Sequence, residues 1–381
     1  MDFNFTEEQS MLRNTVAAYL ADHYGFDQRR AALRKEPGWR PEVWQAFAEE
    51  LGILGAAFAE ELGGGLGGGP IEHMIIMEEF GKALVVEPYL DTVVIGGGFL
   101  KHSGHPAATE LISGIIEGKS LFAFACSEPQ GRYNLAALAT TAKKDGAGWR
   151  LNGHKAVVIG APFATHLIVT ARTSGGERDA LGVSVFLVEK GAAGVATRDY
   201  VTVDGFRASE VYFKNVSLGA DALIGPADHG LPLVEKVVDE AIAATCAEAC
   251  GVLRKLLEGT VEYTKQRKQF GASISSFQAL QHRMVDMFMQ LEQSISMTYM
   301  ANIKLGDDCE RAKAASAAKV QIGKACRFIG QSAIQLHGGM GMTDEMAIGH
   351  YFKRATVLER AFGSVDYHLA RYEALMLGKA A

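Results

Sequence analysis

The spacing of hydrophobic residues divides the chain into a helical first part, a middle part of short strands and a helical last part. Thr6 and Gln9 match a capping box, and apolar residues then recur at helical spacing from Met11 to Leu20. Further helical patterns cover 41–51, 71–84 and 107–116. These patterns predict an N-terminal α-helical domain over residues 1–119.

From residue 120 to residue 226 the pattern changes to short runs rich in valine, threonine and aromatic residues. The runs lie at 121–126, 136–141, 149–151, 155–159, 167–170, 183–188 and 211–213. Turn residues separate them, and Asn152-Gly153 between two runs is a strong hairpin signal. We predict a compact antiparallel β-sandwich or β-barrel in the middle of the chain.

The helical period returns after residue 227 and continues to the end. Long helical patterns lie at 233–268, 278–304, 309–335 and 346–377, with short breaks between them. Consecutive long helices joined by short connections are typical of an antiparallel four-helix bundle, which we predict over residues 227–381. The predicted fold class is therefore α+β, with a helical domain, a β domain and a bundle in that order.

Composition excludes several classes of function. The net charge of −6 argues against nucleic-acid binding. No apolar run is long enough to span a membrane, and the N-terminus shows no signal-peptide pattern, so a cytoplasmic location is expected. The five cysteines show no zinc-binding spacing, and no metal site is expected.

A glycine-rich stretch from Gln335 to Glu345 (QLHGGMGMTDE) interrupts the last part of the chain. Its paired glycines, Gly338 and Gly339, can end a helix and allow a phosphate or another backbone to approach closely. Taken alone, the stretch is more simply explained as a turn between two helices.

Two further motifs precede this stretch. They are RKQFG at 267–271, followed by Phe277-Gln278, and GFRAS at 205–209. In this order the three motifs resemble the signatures of the acyl-CoA dehydrogenases, flavoproteins that desaturate acyl-CoA thioesters. The resemblance extends over almost the whole chain and implies the same order of helical, β and bundle domains.

The resemblance implies that the chain binds FAD between the β domain and the bundle. The residues that match FAD-contacting positions are Arg267, Gln269, Phe270, Gln278, Gln335, Gly338, Gly339, Ser127 and Ser364. This chemistry is reasonable, because a pyrophosphate favours a guanidinium fork and bare backbone N–H groups. The alternative is structural: Arg267 would then be a charge at a helix C-terminus and Phe270 a packing residue.

The resemblance also implies a catalytic glutamate, because a base must remove the α-proton of the thioester. The two positions that carry this residue in the family correspond here to Phe362 and Ala241, neither of which accepts a proton. Glu240 is the best replacement, although one helical step turns a side chain by about 100°. Glu248 and Glu359 are more simply explained as helix charges.

Three interpretations remain open from the sequence. The chain resembles the non-catalytic half of two-subunit acyl-CoA dehydrogenases, which implies a second subunit that supplies the carboxylate and shares the flavin. Electron-transfer flavoprotein is then the expected electron acceptor. Alternatively, the chain is a self-sufficient homo-oligomeric dehydrogenase with a relocated base such as Glu240, or a redox-inactive scaffold that binds acyl-CoA or flavin. The sequence does not identify the acyl chain, which could be dicarboxylyl, fatty or steroid.

Overall fold

A computed structural model describes residues 5–378. The outer ends of the predicted domains, at residues 1–4 and 379–381, lie outside the described residues. The chain forms two compact units. The helical unit comprises Met1–Ala31, Pro70–Val85 and Ile242–Ala381, and the β-rich unit comprises Ala32–Gly69 and Val86–Ala241.

The helices are numbered in chain order. They are α1 (Glu7–His23), α2 (Phe26–Leu33), α3 (Pro41–Glu49), α4 (Pro70–Ala83), α5 (Gly97–Ser103), α6 (Ala108–Ile116), α7 (Leu231–Gln266), α8 (Gln278–Lys304), α9 (Arg311–His337), α10 (Ala347–Arg360) and α11 (Val365–Met376). A π-helix, Leu90–Gly96, leads directly into α5. The predicted capping box is confirmed, since the Thr6 hydroxyl accepts from the N–H of Gln9 and the Gln9 side chain accepts from the N–H of Thr6.

The strands of the β-rich unit form one mixed sheet. They are β1 (Phe122–Ala125), β2 (Thr141–Asp145), β3 (Gly148–Ile159), β4 (His166–Arg172), β5 (Val183–Glu189), β6 (Val195–Val201), β7 (Arg207–Leu218) and β8 (Leu223–Ile224). The order is β6-β7-β3-β2-β4-β5-β8, with β1 paired to β4. Most pairs are antiparallel, whereas β1 and β2 each pair with β4 in parallel. The alternating inward residues form a core in which Trp149 and Phe186 meet edge to face.

Two glycines bring α4 and α7 into backbone contact within the helical unit. A Cβ at Gly81 would stand 2.0 Å from the carbonyl oxygen of Glu248, and one at Gly251 would stand 2.0 Å from that of Glu78. Any larger residue at either position would therefore force the helices apart. Gly81 and Gly251 have this close approach as their structural role.

The sequence-based prediction of a hairpin at Asn152-Gly153 is wrong. Strand β3 runs through both residues, with a register shift between Leu151 and Gly153. The glycine is needed there because a Cβ would stand 2.4 Å from the Thr140 hydroxyl. The β2–β3 hairpin instead turns at residues 146–147, which overlap the turn residues that the sequence predicts at 144–146.

The last predicted helix is also wrong in its extent. The pattern over 346–377 is divided into α10 and α11 by a turn at 361–364. Of the predicted run at 136–141, only Thr141 lies in a strand, because the N–H groups of Ala139 and Thr140 donate to the Glu128 carboxylate instead. The helices at 26–33 and 97–103 were not predicted.

The predicted fold class is confirmed: helices come first, a β-sheet lies in the middle and long helices follow. The three domain boundaries, 1–119, 120–226 and 227–381, remain a prediction. Within residues 5–378, none of the helices combines the length and the apolar character that crossing a bilayer requires.

Candidate functional site

A two-residue hairpin projects from the C-terminal end of α7. Strands β9 (Lys268–Gln269) and β10 (Ala272–Ser273) pair antiparallel, and Phe270 and Gly271 form the tip, both with positive φ. Consecutive left-handed residues match the twist of a tight hairpin. The Phe270 side chain is 93% exposed at this tip. An exposed aromatic ring on a rigid turn is a surface suited to a planar heterocycle.

Polar residues that can bind a phosphate or an adenine surround this tip. Arg267 is exposed and forms no ion pair within residues 5–378. Gln278 is exposed as the first residue of α8, and the Gln269 side chain donates to the Lys268 carbonyl at 2.8 Å. Arg267, Phe270 and Gln278 are therefore all accessible on the helical unit, and their binding of FAD remains a prediction.

The glycine turn after α9 forms a second accessible backbone segment. Gly338 has φ of +60°, and no atom lies within 4 Å of where a Cβ would stand at Gly338 or at Gly339. Gln335, two residues before the end of α9, is exposed as well. The Gly338 N–H already donates within the last turn of α9, to the carbonyls of Ile334 and Gln335. What the two glycines offer a ligand is therefore a backbone that it can approach closely.

Tyr263, which was not predicted from the sequence, packs beside the glycine turn. Its hydroxyl donates to the His337 carbonyl at 3.3 Å, and its ring stacks on the His337 ring at 4.3 Å. The carbonyl of Tyr263 accepts from the N–H of Arg267 at 2.8 Å. The Tyr263 side chain therefore contacts the residue that precedes the Gly338 turn, and its backbone lies one helical turn before Arg267. Its position four residues before Arg267 was the only available signal.

In the β-rich unit, a buried ion pair fixes the chain around Ser127. Lys155 is fully buried and donates to Glu128 at 2.7 Å, to the Thr170 hydroxyl at 3.2 Å and to the Cys126 carbonyl at 3.3 Å. Burial lowers the pKa of Lys155, and the negative charge of Glu128 counteracts part of this shift. Burial also disfavours the charge on Glu128, but the Lys155 ammonium and several N–H donors hold the pKa of that carboxyl below its usual value. Ser127 itself is exposed.

The two predicted base positions carry no acid, and Glu240 is already engaged. Ala241 is fully buried. The Glu240 carboxylate lies 2.7 Å from His102 Nε2 and 3.8 Å from Lys101 Nζ, both residues of α5. This arrangement holds α5 against α7 inside the β-rich unit.

Phe362 lies on the turn between α10 and α11 with φ of +57°. Ser364 is the N-cap of α11, and its hydroxyl accepts from the N–H of Tyr367 at 3.3 Å. The nearest acid in sequence, Glu359, is buried and pairs with Arg327. Glu248 is also buried, in a bidentate pair with Arg354. Each of these carboxylates therefore already has a cationic partner.

His368 holds the same turn from α11. Its Nε2 lies 3.1 Å from the Phe362 carbonyl, and its Nδ1 lies 3.4 Å from the Ser316 hydroxyl. Because a carbonyl only accepts, Nε2 carries the proton and Nδ1 accepts from Ser316. Burial and the cations of Lys319 and Arg371 lower the pKa of His368 to about 3. The ring is therefore neutral in the folded chain.

We expect His368 to make folding stability depend on pH. Its pKa is about 3 when folded against 6.5 when unfolded, so below pH 6.5 the unfolded chain binds a proton that the folded chain rejects. Stability contributed by this residue is complete above pH 6.5 and falls by about 1.4 kcal/mol for each pH unit below it. Urea unfolding between about pH 4 and pH 7 measures this slope.

The control for this prediction is His368→Asn, which does not titrate. The difference in free energy of unfolding between the two chains should shrink steadily as the pH falls. A difference that is constant over this range would show that His368 does not reject the proton.

Comparison with known proteins gives consistent matches along the chain. Models of one protein family match in order: "Acyl-CoA dehydrogenase, N-terminal domain" over residues 6–110, "middle domain" over 123–216 and "C-terminal domain" over 228–376. The acyl-CoA dehydrogenase FadE12 of Mycobacterium tuberculosis is 30% identical over 353 residues, which is 90% of this chain and 89% of the relative.

Solved structures are similar over the same extent. The ChsE4–ChsE5 complex from Mycobacterium tuberculosis matches with a TM-score of 0.89 and 25% identity, over 100% of both chains. An FAD complex of PigA matches with a TM-score of 0.90 and 25% identity, over 99% of both chains.

Proposed function

Because this chain belongs to the acyl-CoA dehydrogenase family and uses FAD, we propose that it serves as the subunit of a heteromeric enzyme that lacks the catalytic glutamate. The observation that carries this proposal is the residue at position 362. A phenylalanine stands on the turn between α10 and α11, and a buried alanine stands at the alternative position, 241. A phenyl ring and a methyl group cannot accept the α-proton of a thioester.

The residues present fit FAD. Phe270 offers an exposed aromatic face, Arg267 offers an exposed guanidinium, and Gly338 and Gly339 offer backbone with open space around it. In our proposal Arg267 binds the pyrophosphate, Phe270 and Gln278 bind the adenosine portion, and Ser127 donates to the isoalloxazine. FAD, when bound, accepts the hydride that leaves the β-carbon of the acyl group.

The neighbouring acids support a base supplied by another chain. Glu240, Glu248 and Glu359 each pair with a lysine or an arginine, and moving any of them to the substrate would leave that cation uncompensated. In our proposal a second acyl-CoA dehydrogenase subunit contributes the carboxylate that takes the proton from the α-carbon. The similarity to a structure solved as the ChsE4–ChsE5 complex supports a paired assembly of this kind.

An apolar patch on α8 supports subunit association. Val285, Phe288 and Met289 lie at helical spacing on one face, and each side chain is about half exposed. Contiguous exposed apolar surface is typical of protein–protein contacts. A homo- or hetero-oligomer is therefore part of the proposal, as are electron-transfer flavoprotein as acceptor and a cytoplasmic location.

The finer identity rests on the sequence resemblance alone. The motifs resemble those of the small subunit of pimeloyl-CoA dehydrogenase, so we propose a dicarboxylyl-CoA such as pimeloyl-CoA as the first substrate to test. Fatty acyl and steroid side-chain thioesters are the alternatives. Arg132, which is exposed after β1, is the candidate for binding a distal carboxylate.

Purification with and without a partner tests the proposed function. We expect the chain alone to reduce no dye with acyl-CoA, and co-expression with a related subunit that carries the glutamate to give a yellow, active complex. Rapid dye reduction by the chain alone would overturn the borrowed-base proposal. Acyl-CoA binding without flavin in either preparation would instead support a redox-inactive scaffold.

The Glu240→Gln variant distinguishes the heteromeric enzyme from a self-sufficient one. If Glu240 only holds α5 through His102, the variant complex should keep its activity within about twofold, since a glutamine can still form that hydrogen bond. Loss of a general base would cost about 100-fold or more. Steady-state dye reduction measures the difference, with Glu258→Gln, an exposed position of the same helix, as the control. A 100-fold loss confined to Glu240→Gln would identify Glu240 as the base.

A further inference from the structure

The backbone carbonyls at the end of α10 need donors that the helix cannot supply. Normal helical bonding ends with the N–H of Ala361, which donates to the Val357 carbonyl at 3.0 Å. The N–H of Gly363 donates to the Arg360 carbonyl instead of continuing the helix. The carbonyls of Leu358 and Glu359 are thereby left without a helical partner, as is usual in a last turn. Both residues are buried, so water does not readily replace the missing donors.

One side chain, Lys319 of α9, satisfies these groups. Its ammonium donates to the carbonyls of Leu358 and Glu359, each at 2.9 Å, and to the carbonyl of Gly363 at 3.1 Å. An ammonium has three N–H groups, and each has an acceptor here. Lys319 is fully buried, so these bonds compete with little water. A cation at a helix C-terminus is also favoured by the helix dipole.

The same face of α9 contacts the turn at two further positions. Ser316, three residues before Lys319, bonds to the ring of His368, which in turn donates to the Phe362 carbonyl. Gly323, four residues after Lys319, leaves room for Val365, because a Cβ there would stand 2.6 Å from the Val365 side chain. Positions 316, 319 and 323 lie on one side of a helix. This side therefore bonds to or packs against Leu358, Glu359, Gly363, Val365 and His368.

We infer that Lys319 is a positioning residue for the reaction, because its ammonium closes the end of α10 and fixes the backbone of the turn that carries Phe362 and Ser364. This inference rests on the proposed function and on the family resemblance, in which position 362 corresponds to the base and Ser364 to a flavin-contacting position. The turn holds Phe362 at positive φ, a conformation that needs external support in a residue with a side chain. Lys319 and His368 provide that support from the two helices α9 and α11.

Hydrogen–deuterium exchange of the full-length chain tests the inference without any activity. In the unaltered protein, the amides of Gly363 and His368 should be protected about as strongly as those in the middle of α9. The variant Lys319→Met keeps the length of the side chain and removes all donors. We expect it to lower the protection of residues 361–368 at least about tenfold, while strands β4 and β5 keep theirs.

The matched control is Arg327→Met, on the same helix. Arg327 bonds to the side chain of Glu359 but to none of these carbonyls, so its removal should leave the exchange of the turn within about twofold. Lys319→Arg, which retains the charge and the donors, should recover part of the lost protection. If Lys319→Met does not fold, amide exchange of the unaltered chain still tests the inference. Rapid exchange of the Gly363 and His368 amides in that chain would overturn it.

The co-expressed complex provides the functional readout. A misplaced turn should lower kcat about tenfold or more and leave the KM for acyl-CoA within about threefold, because the loss arises in alignment of the reacting groups. Equal exchange in Lys319→Met and Arg327→Met overturns the positioning role even if the complex is active. Loosening of the turn in a complex that never reduces dye would refute the proposed function and leave the structural role of Lys319 intact.

Discussion

Replacing Phe362 with glutamate is expected to give the purified chain a dehydrogenase activity of its own, at least about 100-fold above that of the unaltered chain. A positioned general base typically contributes about 10²- to 10⁴-fold. The backbone at this position is already left-handed and held by Lys319 and His368, so glutamate meets about the same conformational cost as phenylalanine. Dye reduction with acyl-CoA and added FAD measures the gain.

The control for this gain is Phe362→Gln. Glutamine is polar and close to glutamate in size, but it does not act as a base. If both variants are equally active, the effect comes from loss of the phenyl ring and not from a new base. If neither variant is active although FAD and acyl-CoA bind, position 362 does not adjoin the α-carbon. Position 362 of this chain then does not correspond to the base position of the family.

Replacing Glu248 with alanine is expected to destabilise the helical unit by about 3–5 kcal/mol, the usual cost of leaving a buried charge without its partner. Glu248 and Arg354 are both buried, and their side chains form two hydrogen bonds, of 2.6 and 2.7 Å. Removing the carboxylate leaves the guanidinium in a dry site between α7 and α10. Thermal and urea unfolding of the unaltered and variant chains measure the loss.

A surface pair on the same helix provides the control. Lys255 and Glu258 are 3.2 Å apart, with side chains that are 42% and 54% exposed, so Glu258→Ala should cost no more than about 0.5 kcal/mol. The double variant Glu248→Leu with Arg354→Met should recover most of the stability, since an apolar pair of similar volume often replaces a buried ion pair without loss. Equal costs for Glu248→Ala and Glu258→Ala would contradict our interpretation of the buried pair.

The sequence predicted those parts of the fold that local patterns determine. The capping box at Thr6 and the helix over 278–304 depend on neighbouring residues, and both are present as predicted. The errors arise where distant groups decide the conformation. Strand β3 continues through Asn152-Gly153 because Gly153 packs on Thr140, and the last helix breaks at 361–364, where residues of α9 bind the turn.

Residues of the candidate site also differ in whether local sequence or distant contacts reveal them. The motif residues Arg267, Phe270 and Gly338 could be named from sequence because their order along the chain is a signature in itself. Tyr263 and Lys319 could not, since a tyrosine or a lysine within a helical pattern resembles many others. Their roles depend on contacts with His337 and with the end of α10, which only the folded chain brings near.

The close crossing of α4 and α7 has a consequence for the synthesis of the protein on the ribosome. Gly81 leaves the ribosome long before Gly251, the residue whose helix must lie against it. At a translation rate of about 5–20 residues per second, synthesis of the intervening chain takes roughly ten to thirty seconds. During that interval the apolar side chains of α4 lack this cover, so the nascent chain passes through a stage in which a chaperone can bind them.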